Sequence, residues 1–402
     1  MEKPFILARI PQVLFRSGVI CELPAIVEGY GKNIVLVTGA GSFMSSGRAE
    51  CLLEHLRARG IKVRHVTVAG EPSPGVVDEA VSRLKGAGIS LVVSIGGGSV
   101  MDAGKAISAM LTTDGSVTDY LEVVGSREHP GTKVPFIAVP TTSGTGSEAT
   151  KNAVISRVGK EGFKRSLRHD NFVPDLAIID TELTLECPPD ITAAAGMDCF
   201  TQLTEAFLSD KGSPITDALA IEGLKAVSRS LLRSFTNGDD KEARSDMSFA
   251  ALMSGICLAN AGLGAVHGLA GTIGALYDIP HGVVCGTLMA PANEVNVREL
   301  RRVSRSGAVT DRYSAAVTSA VLGKYATLGR IFADATGKND NYYIDFFTDC
   351  LNALSYRLGM PKLSRYGLVH DDLAAICSLS DVKNNPVCLS EEQMLEILMS
   401  RI

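Results

Sequence analysis

Apolar and polar positions follow two different patterns in the first half of the chain. Short runs rich in Val, Ile and Leu, typical of buried strands, occupy residues 33–37, 62–68, 91–95, 134–139 and 176–179. Residues 48–60 and 76–86 repeat their apolar positions at helical spacing, and a further helix opens after Gly96. This alternation of strands and helices predicts a parallel sheet with helices on both faces.

The pattern changes near residue 180. Strand-like runs nearly disappear, and long segments with helical spacing cover residues 191–209, 214–235 and 247–261. Pro188 and Pro189 interrupt the chain just before the first of these segments. We therefore expect an α/β domain over residues 1–184 and an all-α domain over residues 185–402, with the functional cleft between them.

Composition narrows the classes of protein to consider. Apolar residues make up 46% and charged residues 21% of the 402 residues, which argues against disorder. The net charge is -5 without a basic cluster, so nucleic acid is not an expected partner. The nine cysteines are scattered and form no CxxC pair, which favours a reducing, cytoplasmic setting over a disulfide framework.

One segment tests whether the chain enters a membrane. Residues 247–277 contain no Asp, Glu, Lys or Arg, and a membrane span needs about 20 apolar residues. The same segment holds Asn260, His267 and six glycines, a density of polar and small groups that suits helices buried inside the protein. The N-terminus also lacks the pattern of a signal peptide. We expect no membrane association.

A glycine-rich turn follows the strand at 91–95. Gly96, Gly97, Gly98 and Ser99 connect this strand to the next helix, and glycine lets a ligand approach the backbone closely. The first N–H groups of a helix are unpaired and carry the positive end of the helix dipole, so such a turn binds phosphate. The alternative is a tight strand–helix turn without a ligand.

A second loop of small residues, 140–150, follows the next strand. It carries five hydroxyl side chains between Thr141 and Ser147, with two glycines among them. Loops at the carboxyl ends of neighbouring parallel strands meet in one crevice. The two loops together predict a dinucleotide site, although a solvated Ser/Thr loop would have the same composition.

Candidate metal ligands lie in the second half. Asp198 and Gln202 are four residues apart on a predicted helix, so both side chains point from one face. His267 and His281 each precede a glycine within apolar sequence. Imidazole and carboxylate bind Zn²⁺ or Fe²⁺, and such an ion polarises a carbonyl group. Buried histidines that are merely hydrogen-bonded are the alternative.

Five segments in this order resemble the iron-containing (group III) alcohol dehydrogenases: GGGSVMDAGKA, PTTSGTGSEAT, GMDCFTQLTEAFLS, GLGAVHGLA with IPHG, and the late NNPVCLS. The resemblance spans essentially the whole chain. It implies a Rossmann-like dinucleotide-binding domain and a helical metal- and substrate-binding domain, as in the dehydroquinate synthase-like fold. It also implies a homodimer, an NAD(P)(H) cofactor, one divalent metal (Fe²⁺ or Zn²⁺), and oxidation of small alcohols or reduction of small aldehydes.

The resemblance also implies roles for individual residues. Those expected at the cofactor are Gly97, Gly98, Ser99, Asp102, Thr141, Thr142, Thr145 and Lys164. Asp198, His267 and His281 match three of the four metal ligands of the family and are the expected catalytic residues.

Two departures concern the metal and the proton relay. Gln202 stands where the family usually has His. Its carbonyl oxygen is a weaker ligand than imidazole, so we expect Gln202 to ligate the metal but the site to retain the metal less firmly. Gly271 stands where many members have a histidine close to the nicotinamide. We therefore assign no general base.

A third departure concerns the cofactor. Many members have an acidic residue just after the first strand, where it accepts hydrogen bonds from ribose hydroxyls and repels a 2′-phosphate. This chain has Gly39 there, followed by Ser42, which can donate to a phosphate. Loss of the acid permits NADP. We expect NADP(H) to be tolerated or preferred.

Three other functions stay open. Gln202 is compatible with a metal-free reductase similar to maleylacetate reductases. A lyase similar to dehydroquinate synthase would use NAD and metal without releasing reduced cofactor, and a nucleotide-binding protein could have lost turnover. The substrate pocket is expected to be modest and partly apolar, lined by Phe163, Phe200 and Tyr277.

Overall fold

The computed structural model describes residues 4–306 and 315–402. Its strands are β1 (Gln12–Phe15), β2 (Asn33–Gly39), β3 (Lys62–Val68), β4 (Leu91–Gly96), β5 (Phe136–Pro140), β6 (Asn152–Arg157), β7 (Phe163–Arg168) and β8 (Leu176–Ile179). The helices of the first half are α1 (Leu23–Glu28), α2 (Gly47–Ala58), α3 (Pro74–Leu84) and α4 (Gly98–Met110). The later helices are α5 (Pro189–Leu208), α6 (Pro214–Thr236), α7 (Lys241–Ala261), α8 (Ala265–Leu276), α9 (His281–Ser306), α10 (Ala315–Phe332), α11 (Asp340–Arg357), α12 (Leu373–Leu379) and α13 (Glu391–Met399).

Six strands form one parallel sheet in the order β1-β8-β5-β4-β2-β3. Every residue of β4, β5 and β8 is buried, which explains why these strands have continuous apolar runs rather than alternating ones. The chain leaves β2 toward β3 on one side, and β4 then joins the other side of β2. This reversal places a crevice beyond the carboxyl ends of β2 and β4.

The predicted α/β sheet is confirmed, with all five expected strands in it. Two features were missed in the sequence. β1 has only four residues, at the sheet edge, and residues 4–10 before it have no regular structure. No periodic sequence pattern therefore predicts this strand. β6 and β7 form a separate antiparallel hairpin whose strands carry several charged residues.

The helical region begins at α5, where Pro189 occupies the first turn. The largest apolar core lies mainly among α5 to α13, and α5, α7 and α8 are mostly buried within it. In the described ranges no single helix is long and apolar enough to cross a membrane; α7 and α8 pass such a test only as a pair bent by 97°. The domain boundary at 184/185 stays a prediction, near the point where strands give way to helices.

Candidate functional site

The glycine turn and the Ser/Thr loop lie against each other at the crevice. Thr141 N–H donates to the Gly96 carbonyl over 2.9 Å. A Cβ added to Gly97 would lie 3.3 Å from the Thr142 hydroxyl, and one added to Gly98 would lie 2.6 Å from Thr145 Cγ2. Glycine is needed at positions 97 and 98 because Thr142 and Thr145 of the Ser/Thr loop occupy the space that a side chain there would fill. The first N–H groups of α4 therefore reach the crevice without a side chain over them.

The predicted cofactor residues near β2 line a shared cleft. Ser42, Thr141 and Thr142 border a cavity of about 180 Å³ that also contains Arg48. Gly39 is the last residue of β2, and Ser99 lies partly exposed in the first turn of α4. The structure thus brings together the turn, the loop and the end of β2, which the sequence separates by about 100 residues.

Asp102 has a different environment from the rest of the turn. Its two carboxylate oxygens accept hydrogen bonds from the Ser147 hydroxyl and from Val154 N–H, the latter over 3.0 Å. Burial raises its pKa, and Lys105 and these hydrogen bonds offset part of that effect. Asp102 therefore joins α4 to the loop and to β6.

Lys164 lies on the hairpin and is 8% exposed. Its Nζ is 2.5 Å from Glu71 Oε1, and the Ser156 hydroxyl donates to Glu71 Oε2 over 2.7 Å. Burial opposes the ionisation of Glu71, but Lys164 outweighs it and lowers the pKa of that carboxyl. A Cβ on Gly274 would lie 3.1 Å from Lys164 Cδ, so the hairpin packs directly on α8.

Asp198, His267 and His281 come together from α5, α8 and α9. Asp198 Oδ1 lies 3.3 Å from His267 Nε2 and 3.8 Å from His281 Nε2. Cys285 completes the cluster, because its Sγ lies 3.6 Å from both Nε2 atoms. The four candidate ligand atoms all lie within 4.8 Å of one another. Cys285 was not singled out in the sequence, although it is four residues after His281 on the same helix.

Gln202 lies beside this cluster, on the same face of α5 as Asp198. Its Nε2 donates to Asp198 Oδ2 over 3.3 Å. Its Oε1 is buried and has no hydrogen-bond partner among the described residues. The predicted spacing of Asp198 and Gln202 therefore holds, and the amide nitrogen is the atom that contacts the carboxylate.

Glu205, one turn further along α5, positions His267. Its Oε2 lies 2.7 Å from His267 Nδ1, and its Oε1 accepts from Val266 N–H over 2.8 Å. We assign the Nδ1 hydrogen to this bond. The other ring nitrogen of His267, Nε2, then faces Asp198 Oδ1, which has no aligned donor among the described residues. The 3.3 Å between these two atoms fits a cation shared by them, either a proton on Nε2 or a metal in the carboxylate–histidine–metal arrangement.

Burial and neighbouring charges shift the pKa values of the ionisable groups in the cluster. Burial raises the pKa of Asp198, but His281 and His267 outweigh it and hold the value at about 2. Burial and the nearby Lys164 lower the pKa of His281 to about 4, so its imidazole is neutral at pH 7. Burial also opposes protonation of His267, yet Cys285 and Glu205 raise its pKa. Ionised Asp198 and neutral His281 are forms that bind a metal, whereas the raised pKa of His267 means that a metal would replace a proton on its imidazole.

A single loop connects the two parts of the site. The backbone around Gly144 packs on Ala195 of α5, where an added Cβ would lie 2.9 Å from the Ala195 Cβ. At Gly146, with φ of +63°, an added Cβ would lie 2.4 Å from Gly255 N of α7. Asp198 follows Ala195 by less than one helical turn, about 4.5 Å along the axis. The loop therefore contacts both the glycine turn and the helix that carries Asp198.

The expected substrate lining needs one correction. Phe200 is fully buried and packs on Phe332 and Phe347 in the helical core, because it points from α5 away from the face that carries Asp198. Phe163 is also nearly buried, and the hydroxyl of Tyr277 donates to Asp372.

Two further motif residues, Gly271 and Asn385, lie in contrasting surroundings. A Cβ on Gly271 would meet nothing within 4 Å, so the position expected to hold a histidine in relatives is open space. In the late motif, Asn385 Oδ1 accepts from Ala265 N–H over 3.4 Å and from Asn296 Nδ2 over 3.3 Å. The NNPVCLS segment therefore supports the start of the helix that carries His267.

Comparison with known proteins identifies the family. Residues 11–181 match the iron-containing alcohol dehydrogenase family, and residues 192–402 match the C-terminal domain of the Fe-containing alcohol dehydrogenase family. The chain therefore belongs to the iron-containing alcohol dehydrogenases, as its motifs predict. It is an oxidoreductase that acts on CH–OH groups or on the corresponding aldehydes.

Individual relatives agree with this placement. The chain is 37% identical to long-chain-alcohol dehydrogenase 1 of Geobacillus thermodenitrificans over 66% of its own length and 67% of that protein. It is 30% identical to sulfoacetaldehyde reductase of Bilophila wadsworthia over 98% of both chains. A crystal structure of sulfoacetaldehyde reductase from Bifidobacterium kashiwanohense in complex with NAD+ superposes with a TM-score of 0.82, at 26% identity over 99% of both chains.

Proposed function

We propose that this chain interconverts a small alcohol and its aldehyde with NAD(P)(H), at a divalent metal bound by Asp198, His267 and His281. The observation that carries the proposal is the orphaned Asp198 Oδ1, which faces two imidazole Nε2 atoms at 3.3 and 3.8 Å. A metal bound there would supply Lewis-acid polarisation of the substrate oxygen, and a nicotinamide would supply or accept the hydride.

The residues of the chain prepare both halves of this reaction. The first turn of α4 holds the pyrophosphate through the N–H groups near Gly97, Gly98 and Ser99. Thr141, Thr142 and Thr145 line the groove, with Asp102 supporting the loop and Lys164 at its hairpin side. Glu205 keeps the Nε2 lone pair of His267 directed at the metal position.

Removal of His267 tests the metal proposal. In His267→Ala the metal content and kcat should fall together, because both depend on the same Nε2 atom. His55→Ala, at an exposed histidine of α2, is the matched control. Metal analysis of the purified proteins and an aldehyde reduction assay measure the effect. A His267→Ala enzyme that keeps both its metal and its kcat would overturn the assignment.

NADP(H) tolerance or preference is the second part of the proposal. No carboxylate stands at Gly39, while Ser42 and Arg48 line the cleft beyond the end of β2. Arg48 also lies 3.9 Å from Glu182 and 3.6 Å from Glu186, so these two carboxylates partly neutralise its positive charge. Initial rates with NADPH should equal or exceed those with NADH, and Gly39→Asp should reverse this ratio. A strict preference of the wild type for NADH would contradict the proposal.

A metal-free reductase is the second candidate function. The observation that favours it is the Gln202 amide, whose Nε2 donates to Asp198 Oδ2 over 3.3 Å where the family usually has a histidine. A protonated His267 between Asp198 and Glu205 would then balance the two carboxylates. Full activity after chelation, in protein that contains no metal by elemental analysis, would select this function.

Two proposals concern the cell and the assembly. Among the described residues no cysteine forms a disulfide bond, as is usual in proteins of the cytoplasm. Phe5, Ile6, Leu7 and Ile10 are exposed, with Ile6 at 91%, beside the edge strand β1. Exposed apolar segments of this kind mark contact surfaces, which supports a homodimer. Light scattering of the wild type and of Ile6→Asp tests this assembly.

A further inference from the structure

The proposed metal site has three clear ligands, one fewer than the four that the family resemblance implies. Gln202 directs its Nε2 at Asp198, and an amide nitrogen has no lone pair for a metal, so only its buried Oε1 could compete as a ligand. Cys285 lies on the other side of the cluster, on α9, with its Sγ 3.6 Å from His267 Nε2 and from His281 Nε2. On the basis of the proposed function, we infer that Cys285 is the fourth metal ligand, as a thiolate, and that Gln202 positions Asp198.

Three separations in the cluster are close to those around one tetrahedral ion. A sulfur about 2.3 Å and a nitrogen about 2.0 Å from such an ion lie about 3.5 Å apart, and an oxygen and a nitrogen at about 2.0 Å lie about 3.3 Å apart. The Cys285 sulfur lies 3.6 Å from each Nε2, and Asp198 Oδ1 lies 3.3 Å from the His267 Nε2. The fourth separation, from Asp198 Oδ1 to His281 Nε2, is 3.8 Å.

Hydrogen bonding alone accounts poorly for the position of Cys285. A thiol has one hydrogen, so it can donate to only one of the two Nε2 atoms at a time. The His267 Nε2 is directed at the cluster, because its Nδ1 bonds Glu205. A cation accepts the lone pairs of the sulfur and both nitrogens at once. Binding forms the metal–sulfur bond and releases the thiol proton to solvent, without oxidation of the sulfur.

The donor set also selects the metal. One thiolate, two imidazoles and one carboxylate oxygen form a softer set than one carboxylate with histidines or an amide oxygen. Thiolate and imidazole together suit Zn²⁺. We expect purified protein to retain Zn²⁺ in preference to Mn²⁺ and Mg²⁺.

Cobalt substitution tests the sulfur ligand directly. Wild-type protein loaded with Co²⁺ should show a near-ultraviolet thiolate-to-cobalt charge-transfer band, which a set of oxygen and nitrogen ligands lacks. Cys285→Ser should lose this band and bind Zn²⁺ at least about 100-fold more weakly, since loss of an outer partner of a ligand already costs 10 to 100-fold. Cys257→Ser, at another buried free cysteine of the helical region, should keep the band.

The outcomes separate this inference from the proposed function. Wild type that binds Co²⁺ without the band, or Gln202→Ala that loses Zn²⁺ while Cys285→Ser retains it, would overturn the role of Cys285 and leave the metal enzyme in place. Wild type that binds no divalent metal would overturn both. If Cys285→Ser does not fold, X-ray absorption of Zn²⁺-loaded wild type decides, because one sulfur neighbour at about 2.3 Å is expected.

Discussion

The cofactor crevice and the metal cluster are suited to different ligands and are built from different parts of the chain. The crevice is made of backbone and small side chains from two continuous segments, and glycine is needed where the segments touch. The cluster is made of side-chain atoms from three helices, and two atoms of its residues, Asp198 Oδ1 and His281 Nδ1, are buried without a hydrogen-bond partner among the described residues. A phosphate needs room and a field of N–H groups, whereas a metal needs particular atoms at fixed separations.

The two regions therefore should respond differently to substitution. Changes in the crevice should alter cofactor binding through available space and leave the metal unaffected. Changes in the cluster should alter the metal even when they conserve shape. The four variants below separate these responses.

Glu205→Gln should have the largest effect on the cluster. The amide keeps the size of the side chain but removes the negative charge next to His267 Nδ1, 2.7 Å away. Metal affinity should fall by about 10 to 100-fold, the usual cost of losing an outer carboxylate partner. Competition with a chelator measures it. An affinity for NADPH that falls by the same factor would contradict the separation of the two regions.

Glu148→Gln tests a buried charge on the crevice side. Burial raises the pKa of Glu148 to about 7, from a usual value near 4.5. The native state thus binds the proton more tightly, and its stability falls as the pH rises from 4.5 to 7. At pH 8 the variant should be more stable than wild type by up to about 3 kcal/mol, because the net rise in pKa already includes the attraction to Lys105.

Denaturant unfolding at pH 5 and pH 8 measures this effect. The gain should be small at pH 5, where Glu148 of the native state is protonated. Lys105, whose pKa burial lowers to about 8, donates to Ser147 O, Thr150 Oγ1 and Asn152 O and should keep these contacts. Equal stabilities of the two proteins at pH 8 would mean that Glu148 is solvated.

Gly98→Ala tests the space between the two loops. The new Cβ would lie 2.6 Å from Thr145 Cγ2, so Thr145 must move. Crowding of this kind costs about 1–3 kcal/mol, and we expect the KM for the cofactor to rise about tenfold. Metal content should not change. Adding Thr145→Ser, which removes that methyl group, should restore part of the affinity, and no restoration would point to another cause.

Gly271→Ala should have the smallest effect. Its Cβ meets nothing within 4 Å, and the position lies inside α8. Replacing a mid-helix glycine should stabilise the fold by about 0.5–1 kcal/mol without altering metal content. The control is Gly268→Ala in the same helix, where the Cβ would lie 1.7 Å from the Asp381 carbonyl oxygen. The thermal unfolding midpoint should rise for Gly271→Ala and fall for Gly268→Ala.

The sequence by itself determined the elements that depend on local pattern. Continuous apolar runs predicted the central strands because both faces of a parallel sheet are covered. The glycine turn at 96–98, and Asp198 with Gln202 one helical turn apart, followed from backbone geometry that neighbours in the chain control. His267 and His281 were identified as candidates because of their apolar surroundings and their resemblance to the family.

The tertiary structure alone decided which atoms meet. Glu205 against His267, Lys164 against Glu71 and Cys285 against two imidazoles are contacts between distant segments, and no local pattern encodes them. The same holds for Gln202, whose amide nitrogen faces Asp198. Helical spacing from His281 would have placed Cys285 on the correct face, but the packing of α9 on α5 brings its sulfur to the cluster. Metal selectivity depends on such separations of a few ångströms, which only the folded chain defines.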